Sequence, residues 1–287
     1  MFSSIFDSLN RLFKPKNPRM ELVSLRPWEN GPIPVEMPDL PSMLNFKEKK
    51  LLYWLTAEFY RGTGAIVELG TFLGSSTAHL AEGLLANSQV ESKMIHSYDL
   101  FAAGPFEAKW LTERFGLSAA PGYNFRHLFS ENVEKYADIL TVTEGDICDS
   151  AWTGGEIEIL FVDLCKTHAI NDFVIMEYFP HLVPGSLLIQ EDYIHGALGW
   201  LHTTMELLSS YAVPVADTDT NSMVYYIKKP IPQSALKRCL WDATTFDEKM
   251  KLMDRAIERL DTQKKREMVT AAKNQLVNIC RREKLAA

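Results

Sequence analysis

Disulfide staples are missing from this chain. Its four cysteines, Cys148, Cys165, Cys239 and Cys280, stand far apart with no Cys-x-x-Cys pair. That excludes a zinc-ribbon pattern and a disulfide framework, and it points to a reducing, cytoplasmic setting. No apolar run approaches the roughly 18 residues of a membrane span. The N-terminus lacks a basic region followed by an unbroken apolar stretch, so it does not read as a secretory signal. An excess of basic charge is missing too. Lys and Arg number 30 against 37 Asp and Glu, a formal charge of −7, which argues against wholesale nucleic-acid binding. Internal repeats and low-complexity tracts are absent.

What remains is a chain of 287 residues, 46% hydrophobic and 23% charged, with the make-up of an ordinary globular protein. The charge is unevenly spread. Residues 231–287 hold 13 basic and 8 acidic residues, a net of +5, so residues 1–230 carry −12. Three units follow: 1–45, 46–230 and 231–287.

In the first unit, Phe2, Ile5, Phe6, Leu9, Leu12 and Phe13 share one face of a short helix. Such a helix docks on its own domain or a second copy of the chain, or lies in a membrane surface. Residues 26–41 carry five prolines and read as an extended linker. The last unit reads as charged helices. It packs on the acidic core, joins subunits or faces an anionic acceptor.

The middle unit alternates strand and helix. A helix over Phe46–Tyr60 precedes strands at Ala65–Leu69, Met94–Tyr98, Ile139–Val142, Ile159–Val162 and Leu187–Gln190. Helices at Ser75–Leu85, Ala169–Phe179 and Trp200–Ser210 fall between and after them. Two last strands, Val213–Ala216 and Met223–Ile227, are joined too tightly for a helical crossover, so one runs antiparallel. The fold class is α/β: a doubly wound, Rossmann-like sheet of seven strands, mostly parallel, with helical extensions at both ends. Residues 101–138, rich in aromatics, are too long for a plain connection and read as a cover over a site.

The most informative segment is Ile66–Thr77, IVELGTFLGSST. A buried strand runs into Glu68, then Gly70 and Gly74, then a helix. This turn lies at the carboxyl edge of the sheet, where ligands bind. The third glycine of a dinucleotide fingerprint is missing, and an acid precedes the first. That acid suits a ligand with a cationic end, such as the ammonium and sulfonium of S-adenosylmethionine. Asp99 after the second strand can take ribose hydroxyls, and Asp146 after the third can accept from an adenine amino group.

Asp163 ends the fourth strand and Glu191-Asp192 the fifth. Three carboxylates at one edge need a cation, and magnesium takes such ligands. Lys166, three residues past Asp163, is the candidate base, its pKa lowered by a metal. His168 is a second candidate. Tyr193 and His195 are candidates for lining an acceptor pocket.

These motifs resemble the class I S-adenosylmethionine-dependent methyltransferases over roughly residues 45–228, and the Glu68–Ser76 segment is similar to the catechol and macrocin O-methyltransferase branches. The resemblance implies that Glu68, Gly70, Thr71, Phe72, Ser75 and Ser76 hold the methionine part. It implies Asp99 and Leu100 at the ribose, and Asp146 and Ile147 near adenine. Asp163 would touch both cofactor and metal. Asp163 and Lys166 look like the metal-and-lysine arrangement of the catechol enzymes, although Glu191-Asp192 stands where Asp-Asn is usual. The implied acceptor is a hydroxyl of a small polyol, sugar, glycan or natural product.

Overall fold

The computed structural model describes residues 17–31 and 39–286. The amphipathic pattern at 1–16 lies outside them.

Seven strands form one sheet in the order β3-β2-β1-β4-β5-β7-β6. They are β1 Ala65–Leu69, β2 Ile95–Asp99, β3 Leu140–Glu144, β4 Ile157–Val162, β5 Leu182–Gln190, β6 Ala212–Asp217 and β7 Met223–Ile227. β7 pairs antiparallel with both β5 and β6, and every other pair is parallel. β4 and β7 are buried along their whole length, as strands covered on both faces must be. β5 begins five residues earlier than its apolar pattern suggests. Pro184 and Gly185 hide its start, where Ser186 Oγ donates to Ile157 O and stitches it to β4.

Ten helices are described: α1 Pro18–Ser24, α2 Phe46–Trp54, α3 Ser75–Ala86, α4 Pro105–Phe115, α5 Arg126–Val133, α6 His168–Glu177, α7 Gly199–Leu207, α8 Gln233–Cys239, α9 Phe246–Arg259 and α10 Gln263–Ala286. α2 starts with a capping box. Asn45 Oδ1 accepts from Lys47 N and Glu48 N, and Glu48 Oε2 accepts from Asn45 N. Its expected last turn is a π-helical one, Leu55–Phe59, docked on α3 by Thr56 Oγ1 donating to Leu80 O.

One face of the sheet packs on α2, α3 and the 101–138 excursion, the other on α6, α7 and the C-terminal helices. The excursion folds as α4, α5 and a 3-10 turn around buried Phe101, Phe125 and Phe129. Over residues 26–31, the described start of the expected 26–41 linker, the chain is not extended. Pro27–Glu29 forms a 3-10 turn, Trp28 is buried in the core, and Arg26 donates to Asp217 O.

The C-terminal helices pack on the acidic core. Val269, Ala272 and Leu276 are wholly buried, and a Cβ on Gly199 would lie 2.6 Å from Leu276 Cδ1. Ion pairs of the predicted sign accompany this packing. Buried Lys265 meets Asp217 at 2.9 Å, and Arg259 meets Glu206 at 2.7 Å. Among the described residues no helix is long and apolar enough to cross a membrane.

Candidate active site

The strand order reverses between β1 and β4, so their carboxyl ends flank the crevice where a doubly wound sheet binds ligands. Asp163 N donates to Leu69 O over 2.7 Å and closes the floor. Gly70 follows with φ +95°, and a Cβ there would lie 2.9 Å from Asp163 O. Only glycine fits both the conformation and the approach. Gly74, φ +86°, is the N-cap of α3 and supplies no side-chain acceptor to the first helical N–H groups. Those groups stay open to an external anion at the positive end of the helix dipole. Its missing Cβ makes room for Val133 Cγ1, which would stand 2.6 Å away. The close neighbour is thus α5 rather than a strand.

Glu68 lies inside the sheet edge with no exposure. Its Oε2 accepts from Thr77 Oγ1 at 2.7 Å and Ser97 Oγ at 2.8 Å. Its Oε1 is buried with no partner among the described residues, and so is Ser75 Oγ in the first turn of α3. Burial pushes the Glu68 carboxyl up to about 7, against hydroxyl hydrogen bonds that pull it down. Ser76 is buried beside it.

Asp99 Oδ2 accepts from Thr71 N at 2.8 Å and Phe72 N at 2.9 Å, and Oδ1 accepts from Phe101 N at 2.7 Å. The acid expected at a ribose is therefore first a clamp on the glycine turn, with Oδ1 keeping capacity for one more donor. It holds Phe72 at φ +47°, and that ring packs edge-on against Trp110 and Phe125. Leu100 is 55% exposed, an apolar side chain left open beside Asp99. Asp146 is exposed, and its Oδ1 accepts from Cys148 N at 2.9 Å, which caps the turn containing buried Ile147.

At the ends of β4 and β5 the expected cluster is rearranged. Lys166 Nζ donates to Asp163 Oδ1 over 2.7 Å and to Asp192 Oδ2. Burial works to lower the Lys166 pKa, but the two carboxylates outweigh it and hold the ammonium above the usual lysine range. Lys166 is thus a cation here, not the neutral amine that a base requires. Burial raises the Asp163 carboxyl to about 6, with Lys166 pulling it down and Asp192 pushing it up.

Glu191 does not complete a trio with Asp163 and Asp192. It is buried, its Oε2 accepts from Ser222 Oγ, and its charge neighbour is Glu48 of α2. Burial first, then Glu48, raises its pKa well above the usual carboxylate value. Among the described residues no group of three or more His, Cys, Asp or Glu is arranged to hold a metal. The expected donor set of Asp163, Glu191 and Asp192 does not fit a divalent ion, because an ammonium already bridges two of its members and the third is engaged by Ser222.

His168 is not beside the cleft carboxylates. Its ring stacks on Trp241 at 4.5 Å, and Nε2 pairs with Glu283 Oε1 at 2.9 Å, both from the C-terminal helices. Tyr193 is buried against His202 and Tyr225 rather than lining a pocket, while His195 is exposed. Glu48 and Ser222 were not among the candidates. Asn45-x-x-Glu48 carries a capping-box signature, but nothing in the sequence says that Glu48 Oε1 also accepts from Thr218 and Thr220.

Residues 67–193 match a family model described as a methyltransferase domain. No curated protein matches the chain. Among solved structures, the O-methyltransferase NovP is 14% identical, with 66% of this chain and 82% of that one covered at a TM-score of 0.48. An S-adenosylmethionine-dependent O-methyltransferase from Thermotoga maritima is 13% identical, covering 68% and 69% at a TM-score of 0.43. The S-adenosylhomocysteine-bound methyltransferase PaMTH1 of Podospora anserina is 13% identical, covering 85% and 88% at 0.39. Likenesses this distant add nothing to the site.

Residues 67–193 are thus similar to a methyltransferase domain, and the strand order agrees with the doubly wound fold expected for one of the class I, S-adenosylmethionine-dependent kind. The residues present fit that cofactor. An uncapped helix N-terminus suits its carboxylate, an orphaned buried Glu68 oxygen suits its cationic end, and open Leu100 suits its flat base.

Proposed function

We propose that this methyltransferase domain transfers the methyl group of S-adenosylmethionine to a hydroxyl oxygen of a small polyol, sugar or natural product. One observation carries the reading: the Glu68–Ser75 turn combines a glycine-only approach to Asp163, an uncapped helix N-terminus and a buried carboxyl oxygen without a partner. In this reading Glu68 and the first turn of α3 hold the methionine end. Asp99 Oδ1 takes a ribose hydroxyl, Leu100 and Ile147 flank the adenine, and Asp146 accepts from its edge. The unit at 46–230 is the catalytic body, and 231–287 braces it.

The bound cofactor supplies an electrophilic methyl carbon on a sulfonium. With it bound, an acceptor oxygen would displace the sulfur at that carbon, and the hydroxyl proton would pass to Asp163. Asp163 suits this task because burial brings it toward neutrality and it stands beside the glycine turn. Positioning accounts for much of the rate in such an in-line displacement.

The test is a panel of polyols, nucleotide sugars and catechols, read by release of S-adenosylhomocysteine. Turnover of at least one hydroxyl acceptor, lost in Asp163→Asn while cofactor still binds, is the expected result. Turnover only of amine or thiol acceptors contradicts it.

A further inference from the structure

Resting on the methyltransferase reading, we infer that the Lys166 ammonium stands where a divalent cation would, so that acceptor activation at this site is metal-independent. Two carboxylates at the ends of β4 and β5 repel one another unless a cation lies between them. In this chain the cation is covalent. Lys166 Nζ bridges Asp163 Oδ1 and Asp192 Oδ2. An ammonium has three N–H donors. Two are given to these carboxylates, and no third acceptor is found among the described residues. The side chain is 48% exposed, so the third donor is accessible from solvent. Asp192 sits at φ +57°, a left-handed position, in the turn that brings its carboxylate to Lys166.

The inferred role follows from this geometry. The third N–H donates to the acceptor oxygen, while Asp163 receives the hydroxyl proton. Negative charge that grows on the oxygen as the proton leaves meets a fixed ammonium, and it disappears when the carbon–oxygen bond forms. Lysine thus performs the charge stabilisation that a bound metal performs elsewhere. Glu191, the surplus acid at the expected metal position, instead accepts from Ser222 Oγ, with Glu48 as its charged neighbour.

The test is titration of Mn2+ into the full chain, with free Mn2+ read by electron paramagnetic resonance. Wild type and Lys166→Arg are expected to leave the free-ion signal unchanged. Lys166→Ala, which uncovers two facing carboxylates, is expected to diminish it. Mn2+ binding by wild type that is lost in Asp163→Asn or Asp192→Asn overturns the inference, whether or not the Lys166 variants fold. With any acceptor the panel yields, turnover should survive exhaustive chelation within about twofold. Lys166→Ala should then lower it about 100- to 1000-fold, the scale of losing one oxyanion donor. Turnover abolished by chelation and restored by Mg2+ also overturns it. Failure to bind S-adenosylmethionine in calorimetry instead removes the methyltransferase reading, and leaves the Mn2+ result standing by itself.

Discussion

Thr77 Oγ1 donates a hydrogen bond to Glu68 Oε2 over 2.7 Å, which ties the first turn of α3 to the acid at the end of β1. The other oxygen of that acid is buried without a partner. Burial therefore raises the carboxyl from 4.5 to about 7. A carboxyl raised by folding favours the folded state most below pH 4.5, and that contribution is lost as pH rises through 7. The cofactor-free chain should thus lose about 3 kcal/mol from this group between pH 4.5 and 8. Denaturant unfolding of wild type and Glu68→Gln at both pH values checks this. The variant should show a smaller loss by about that amount, and parallel losses refute the assignment.

Gly70 has no room for a side chain. Gly70→Ala places a methyl 2.9 Å from Asp163 O at φ +95°, and strain of this kind costs about 1–3 kcal/mol. A lowered thermal midpoint together with lost cofactor binding is expected. A variant with the stability of wild type would mean that the turn relaxes freely.

His168→Ala separates a catalytic from a bracing role. The ring stacks on Trp241 and meets Glu283, so the variant should bind cofactor normally. It should also exchange amide hydrogens faster over residues 241–243 and 263–283, with an expected loss of about 1 kcal/mol. Lost methyl transfer with unchanged exchange would return His168 to the chemistry.

The C-terminal helices belong to the core. Leu276→Ala should cost roughly 3 kcal/mol, because the side chain is wholly buried beside Gly199. Truncation after Pro230 should give a chain that aggregates, since it strips α7 of its cover. A soluble, cooperative truncated chain would show that the extension is dispensable.

The glycine turn, the alternation of strand and helix, and the antiparallel last pair were legible because each is local. Gly70 and Glu68 lie within three residues, and Asp217–Ser222 is too short for a crossover. Glu191 and His168 were read less well for one reason: their partners are distant in sequence. Whether Glu191 turns toward Asp163 or toward Glu48 depends on how α2 packs on the sheet. His168 is drawn away by Trp241 and Glu283, more than 70 residues later. Lys166 was expected to be neutral beside a metal, yet the same two carboxylates that would bind the metal bind the lysine instead.

Isothermal titration of the full chain with S-adenosylmethionine tests the central claim most directly. One cofactor should bind per chain, with affinity lowered about 10- to 100-fold by Glu68→Gln, the scale of one lost charge-assisted hydrogen bond. A folded chain that takes up neither S-adenosylmethionine nor S-adenosylhomocysteine would contradict it.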